Sequence, residues 1–113
     1  MSVALCRIED IDDPGAKGFS FVDREDSREI FVVRVGDGVN AYVNSCPHIG
    51  TPLEFQPDRF LTQDGSEILC STHGARFEID TGRCVAGPCR GQSLRRVLVT
   101  VAEGWVRLND PAL

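Results

Sequence analysis

With 113 residues, 42% of them apolar and 26% charged, the chain has the make-up of one ordinary globular domain, residues 1–113. A net charge of -5 argues against nucleic acid or an anionic membrane surface as the main partner. No apolar run approaches the roughly 20 residues of a membrane-spanning helix. The first residues, MSVALCRIEDIDDPG, have neither a basic segment nor a long apolar one, so no signal peptide is expected.

Glycine and proline together supply 17 residues, spread so that few stretches could form a long helix. The apolar segments read instead as short strands, and the expected fold class is all-β. In chain order, short strands are expected at Ala4 to Ile8 and Phe19 to Val22. Arg28 to Val35 is rich in β-branched residues and almost continuously apolar, as a well-buried strand is. Gly36-Asp37-Gly38 suits a tight turn, after which Val39 to Val43 returns as the hairpin partner. Residues 44–88 alternate poorly and are rich in turn formers, which marks a loop-rich subdomain. Valines 97, 99 and 101 then alternate along one strand, and beyond Glu103-Gly104 the segment Trp105 to Leu108 closes a second hairpin.

The chain has only two histidines, and each follows a cysteine closely: Cys46-Pro47-His48 and, after 21 intervening residues, Cys70-Ser71-Thr72-His73. Thiolate and imidazole are the side chains best suited to soft and borderline metals. Unrelated core and surface residues would not be expected to repeat the pairing, each time with a glycine within two residues. A structural zinc site of two cysteines and two histidines remains open. Its usual spacing, however, places both cysteines in one arm, whereas here each arm offers one of each. The alternative is a two-iron, two-sulfide cluster with one iron held by cysteines and the other by histidines.

The pattern C-x-H followed by C-x-x-H resembles the Rieske iron–sulfur family, over about residues 28 to 108. The resemblance implies stacked antiparallel sheets carrying a loop-rich cluster-binding subdomain. It further implies one [2Fe-2S] cluster, with Cys46 and Cys70 on the inner iron and His48 and His73 on the outer one. Gly87-Pro88 matches the family's third, shielding loop. Neutral imidazoles in place of two thiolates leave the oxidised centre formally neutral rather than dianionic. An added electron then meets less repulsion, and the potential rises into a range of about -150 to +300 mV.

The respiratory-chain branch of that family carries an extra disulfide between the cluster loops and Ser and Tyr hydroxyls that donate to cluster or cysteine sulfur. The matching positions here are Thr51 and Thr72 for the disulfide and Ala75 and Phe77 for the hydroxyls. Hydrogen bonds to sulfur favour the more negative, reduced state, so their loss points to the bottom of the range, near about -150 mV. Phe77 also reads simply as a core aromatic.

Five cysteines cannot all pair within the chain, which fits a reducing cytoplasm. Cys6 reads as a strand residue. Cys84 and Cys89 bracket the shielding loop and read as two free buried thiols, with a small disulfide or a second metal site as the alternatives. Arg76 and Arg90 lie beside the cluster loops, as docking groups or as solvated charges. Both histidines are used by the cluster, so none is left for a catalytic iron or a general base. No Gly-rich fingerprint for a flavin or nicotinamide cofactor is present. The chain therefore reads as a one-electron carrier rather than an enzyme, resembling small ferredoxins that link a flavin-dependent reductase to a terminal oxygenase. A small subunit of a larger redox complex, such as nitrite reductase, and a zinc-stabilised binding module are the alternatives.

Overall fold

The computed structural model describes residues 3–23, 26–45, 53, 58–70, 74–88 and 91–109. Among the described residues, ten strands form three antiparallel sheets. The central sheet joins β2 (Gly15–Asp23), β3 (Asp26–Val35), β4 (Gly38–Val43) and β8 (Arg96–Val97) in that order. A second sheet places β10 (Trp105–Leu108) between β1 (Val3–Arg7) and β9 (Val99–Ala102). The third, much smaller, holds β5 (Ile68–Leu69), β6 (Arg76–Phe77) and β7 (Cys84–Ala86). The helical content of the described residues is one 3-10 turn, Ile8–Asp10.

The unbroken apolar run in β3 has a simple cause. Ile30 and Val32 project into one core, with Ala41, Val97, Val106 and Leu108, while Phe31 and Val33 project into another. That second core contains Tyr42, Leu53, Phe60, Ile68, Cys70, Ala75 and Phe77. Successive side chains point to opposite faces of a strand, and here both faces are covered. The central sheet thus lies between the β1-β10-β9 sheet and the subdomain that carries Cys70.

The expected hairpins form. Gly36 takes a left-handed φ of 63° at the first turn. Glu103 and Gly104, at φ 54° and 81°, make the two-residue turn between β9 and β10. Cys6 is a buried residue of β1, and burial pushes its thiol pKa up, with Asp10 adding to the effect.

Three expectations need correction. The strand expected over 97–101 is two strands in different sheets. Val97 pairs with Ala41 in the central sheet, Leu98 is exposed, and Val99 pairs with Leu108 in the neighbouring one. Val97 is buried in one core and Val99 packs, partly buried, against the same core, so their alternation continues across the change of sheet. β2 is also longer than expected, beginning at Gly15. Its two glycines weaken the strand signal, yet Gly18 sits where a Cβ would lie 3.3 Å from the Phe60 ring, and its N–H donates to Asp58 at 2.8 Å. The loop-rich middle does contain strands, β5 to β7, each too short to show a period.

Two side chains tie the central sheet to the β6–β7 hairpin. The Tyr42 hydroxyl donates to the Ile79 carbonyl at 2.5 Å, and Arg96 donates to the Asp80 carbonyl at 2.7 Å and to Asn40 at 2.6 Å. Burial raises the Tyr42 phenol pKa; the Arg96 charge opposes this and Asp80 adds to it. A raised folded-state value favours the protonated phenol, so this stabilisation is complete below about pH 10 and fades as pH rises through the folded value. Tyr42→Phe should cost about 1 kcal/mol at neutral pH and flatten the alkaline loss of stability, read from urea midpoints between about pH 8 and 11. An equally steep loss in Tyr42→Phe would contradict the assignment.

Candidate metal centre

The third sheet holds one of the four predicted ligands in view. Cys70 directly follows β5 and is fully buried, in the core that also contains Leu53, Phe77 and Cys84. A tight turn starts on it: the Cys70 carbonyl accepts from Gly74 N–H at 2.9 Å, and its N–H donates to the Ala75 carbonyl at 2.8 Å. The chain then runs into β6, whose Phe77 pairs with Ile68 on β5 and with Cys84 on β7. Backbone bonds therefore fix the Cys70 Cα, and the apolar surroundings keep water from the sulfur.

Cys46, His48 and His73 lie outside the described residues, as do Thr51, Thr72, Cys89 and Arg90. Among the described residues no three His, Cys, Asp or Glu side chains converge, as follows when three of the four expected ligands are not among them. What is in view fits an iron–sulfur cluster. A thiol excluded from water and held in place by backbone bonds suits a soft metal, and the donor set expected from the sequence, two cysteines and two histidines, is that of an asymmetric cluster.

Ala75 and Phe77 are both fully buried, so the reading of Phe77 as a core aromatic holds. The expected shielding loop does approach the Cys70 turn. Gly87 has a φ of 98°, and a Cβ built on it would lie 2.7 Å from the Ala75 Cα. Only glycine satisfies both constraints. Gly87→Ala should therefore cost about 2 kcal/mol or more and push the third loop off the second, visible as a lowered unfolding midpoint and faster loss of iron. A neutral Gly87→Ala would contradict the close approach.

Pro88 is exposed beside it. Cys84 is buried, with its Sγ 3.3 Å from the Ala86 carbonyl, the arrangement of a thiol donating a hydrogen bond. Arg76 projects to the surface from β6 and lies 3.4 Å from Glu67, a half-exposed pair of small energetic weight. No sequence signal pointed to Asn44, a buried polar residue whose Oδ1 accepts the Leu53 N–H at 2.8 Å. It stands two positions before Cys46, in a segment that reads as ordinary loop.

The Rieske [2Fe-2S] domain family matches residues 1–103 of the chain. Solved structures superpose over nearly its full length. The ferredoxin of carbazole 1,9a-dioxygenase from Nocardioides aromaticivorans IC177 is 26% identical, with a TM-score of 0.76 over 97% of this chain and 98% of that one. The Sphingomonas yanoikuyae B1 ferredoxin is 28% identical, with a TM-score of 0.72 over 98% of this chain and 100% of that one. A ferredoxin from a complex of reduced oxygenase and oxidised ferredoxin in carbazole 1,9a-dioxygenase is also 28% identical, at a TM-score of 0.73 over 95% and 91%. Comparison with curated proteins gives no match. The chain belongs to the Rieske [2Fe-2S] domain family, and it is an electron carrier built around one [2Fe-2S] cluster.

Proposed function

We propose that the chain shuttles single electrons from a flavin-dependent reductase to the terminal oxygenase of a ring-oxidising system in the cytoplasm, acting as one Rieske unit over residues 1–113. The observation that supports this most is the end-to-end match to free-standing ferredoxins, one of them solved in complex with its oxygenase. When bound, the cluster takes up and releases one electron.

In this reading Cys46 and Cys70 hold the inner iron, and His48 and His73 hold the outer iron. The protein's own contribution is placement and screening. Leu53 and Phe77, packed in the Cys70 core, and the Gly87-Pro88 loop, which approaches Ala75, would keep water from the thiolate side, where a change of charge would otherwise reorganise solvent. Imidazole edges near the surface would give a docked partner a short path for the electron. The net charge of -5 suits an acceptor with a basic docking patch. Such an encounter should bury less than about 1,200 Å² in total, because the carrier must leave again. Among the described residues no helix is long and apolar enough to cross a membrane.

A reconstituted chain of reductase, this protein and a ring-hydroxylating oxygenase tests the reading. Product formation should saturate with the loaded carrier and fall as salt is raised. Purification as a stable, stoichiometric complex with one large redox subunit would favour the alternative, a resident subunit of a larger enzyme.

A further inference from the structure

A buried side chain joins the two ends of the first ligand-bearing segment. Asn44 is 8% exposed, and Leu53 is fully buried in the same core as Cys70, Ala75 and Phe77. The Asn44 backbone is anchored to the central sheet, its N–H donating to the Glu29 carbonyl at 2.8 Å. Next to it, Val43 N–H donates to the Arg95 carbonyl at 2.9 Å. From this fixed base the Asn44 Oδ1 reaches nine positions along the chain and accepts the Leu53 N–H at 2.8 Å. Cys46 and His48 lie between these two residues in the sequence.

The ordinary use of a buried asparagine is to satisfy a neighbour, and Asn44 does satisfy the Leu53 N–H. Its position gives that bond a second consequence. Asn44 is bonded to the central sheet and Leu53 is seated in the core, so the bond fixes where the two ends of the segment stand. With both ends fixed, a loop has few ways to present its side chains, and less entropy is lost when they bind metal. The second ligand-bearing segment has its own closure in backbone form, the Gly74 and Ala75 bonds to Cys70. The first uses a side chain instead, and a side chain can be changed by substitution without altering the backbone.

We propose that Asn44 is a positioning residue for the cluster: its carboxamide oxygen closes the segment carrying Cys46 and His48 and so holds one thiolate and one imidazole ready for iron. The proposal rests on the assignment of those two residues as ligands.

The test compares loaded wild type, Asn44→Ala, Asn44→Asp and Asn44→Gln with Val106→Ala. Val106 is fully buried in the other core, so its truncation lowers stability without touching this segment. Two readings are taken well below the unfolding temperature: the rate at which EDTA bleaches the visible absorbance, and the electron paramagnetic resonance spectrum of the dithionite-reduced protein. Asn44→Ala should release iron roughly tenfold faster or more than wild type and broaden or shift the spectrum, because the buried Leu53 N–H loses its acceptor. Asn44→Asp keeps an acceptor oxygen at the same reach and should restore most of the wild-type rate. Val106→Ala should match wild type in both readings.

Equal release by Asn44→Ala and Val106→Ala, or by Asn44→Ala and wild type, would overturn the proposal. If Asn44→Ala does not fold, the comparison of Asn44→Gln with Asn44→Asp decides. Gln sets the oxygen one methylene further out and should release iron faster than Asp, and equal rates would overturn the proposal. A wild-type spectrum without the signal of a histidine-ligated [2Fe-2S] centre would overturn the ligand assignment itself. A normal wild-type spectrum with an unchanged Asn44→Ala would overturn only the role of Asn44.

Discussion

Cys70→Ala should give a folded, colourless protein that binds no cluster and shows no redox wave. The backbone bonds that shape the turn, Gly74 N–H to the Cys70 carbonyl and Cys70 N–H to the Ala75 carbonyl, do not involve the sulfur. Removing the Sγ from a fully buried position deletes roughly one methyl-sized group, a loss of about 1 kcal/mol. The sheet scaffold, with its two cores, should survive that. The cluster should not, because in the proposed assignment Cys70 supplies an inner-iron thiolate shielded from water that Cys46, His48 and His73 cannot replace. Iron per chain, visible absorbance and far-ultraviolet circular dichroism together check the result. Wild-type iron content in Cys70→Ala would remove Cys70 from the ligand set.

The second large effect is expected at Ala75 and Phe77. Both are fully buried, Ala75 beside the Cys70 backbone and under Gly87, and Phe77 across the strand from Cys84. Neither has a hydroxyl, so neither position can donate a hydrogen bond that would favour a reduced, more negative centre. Ala75→Ser and Phe77→Tyr should each raise the midpoint potential. For a one-electron couple, every 1.4 kcal/mol by which a new hydrogen bond favours the reduced state is worth about 60 mV. A charge-assisted bond in a water-excluded site is of that order. Redox titration of the two single variants and the double variant gives the numbers. No rise in either single variant would contradict the reading of these positions as setting a low potential.

The sequence showed most of the scaffold because the strands that pack on both faces are long or strongly β-branched. Arg28 to Val35 carries its burial in its composition, and Trp105 to Leu108 is bounded by an unmistakable turn. The change of sheet at Leu98 left no trace, since the valines on either side of it face one core. Strands β5 to β7 are two or three residues long, below the length at which a period of two can be seen. They exist because Phe77, Ile68 and Cys84 pack beneath the Cys70 turn, a tertiary cause with no local signal. At the centre itself, the sequence singles out the proposed ligands because so few side chains bind soft metals. Asn44 was not legible, because its value lies in a partner nine positions away that only folding supplies. Gly87 and Pro88 were expected as a shielding loop from resemblance, and the close approach to Ala75 gives that expectation a steric basis.

Protein-film voltammetry of the freshly purified protein addresses the central claim most directly. A low-potential carrier predicts a reversible one-electron wave near -150 mV, at the lower end of the range of histidine-ligated clusters. A wave near +300 mV would keep the cluster and contradict the reading of Ala75 and Phe77, and folded, colourless protein with no wave would contradict the cluster in this chain.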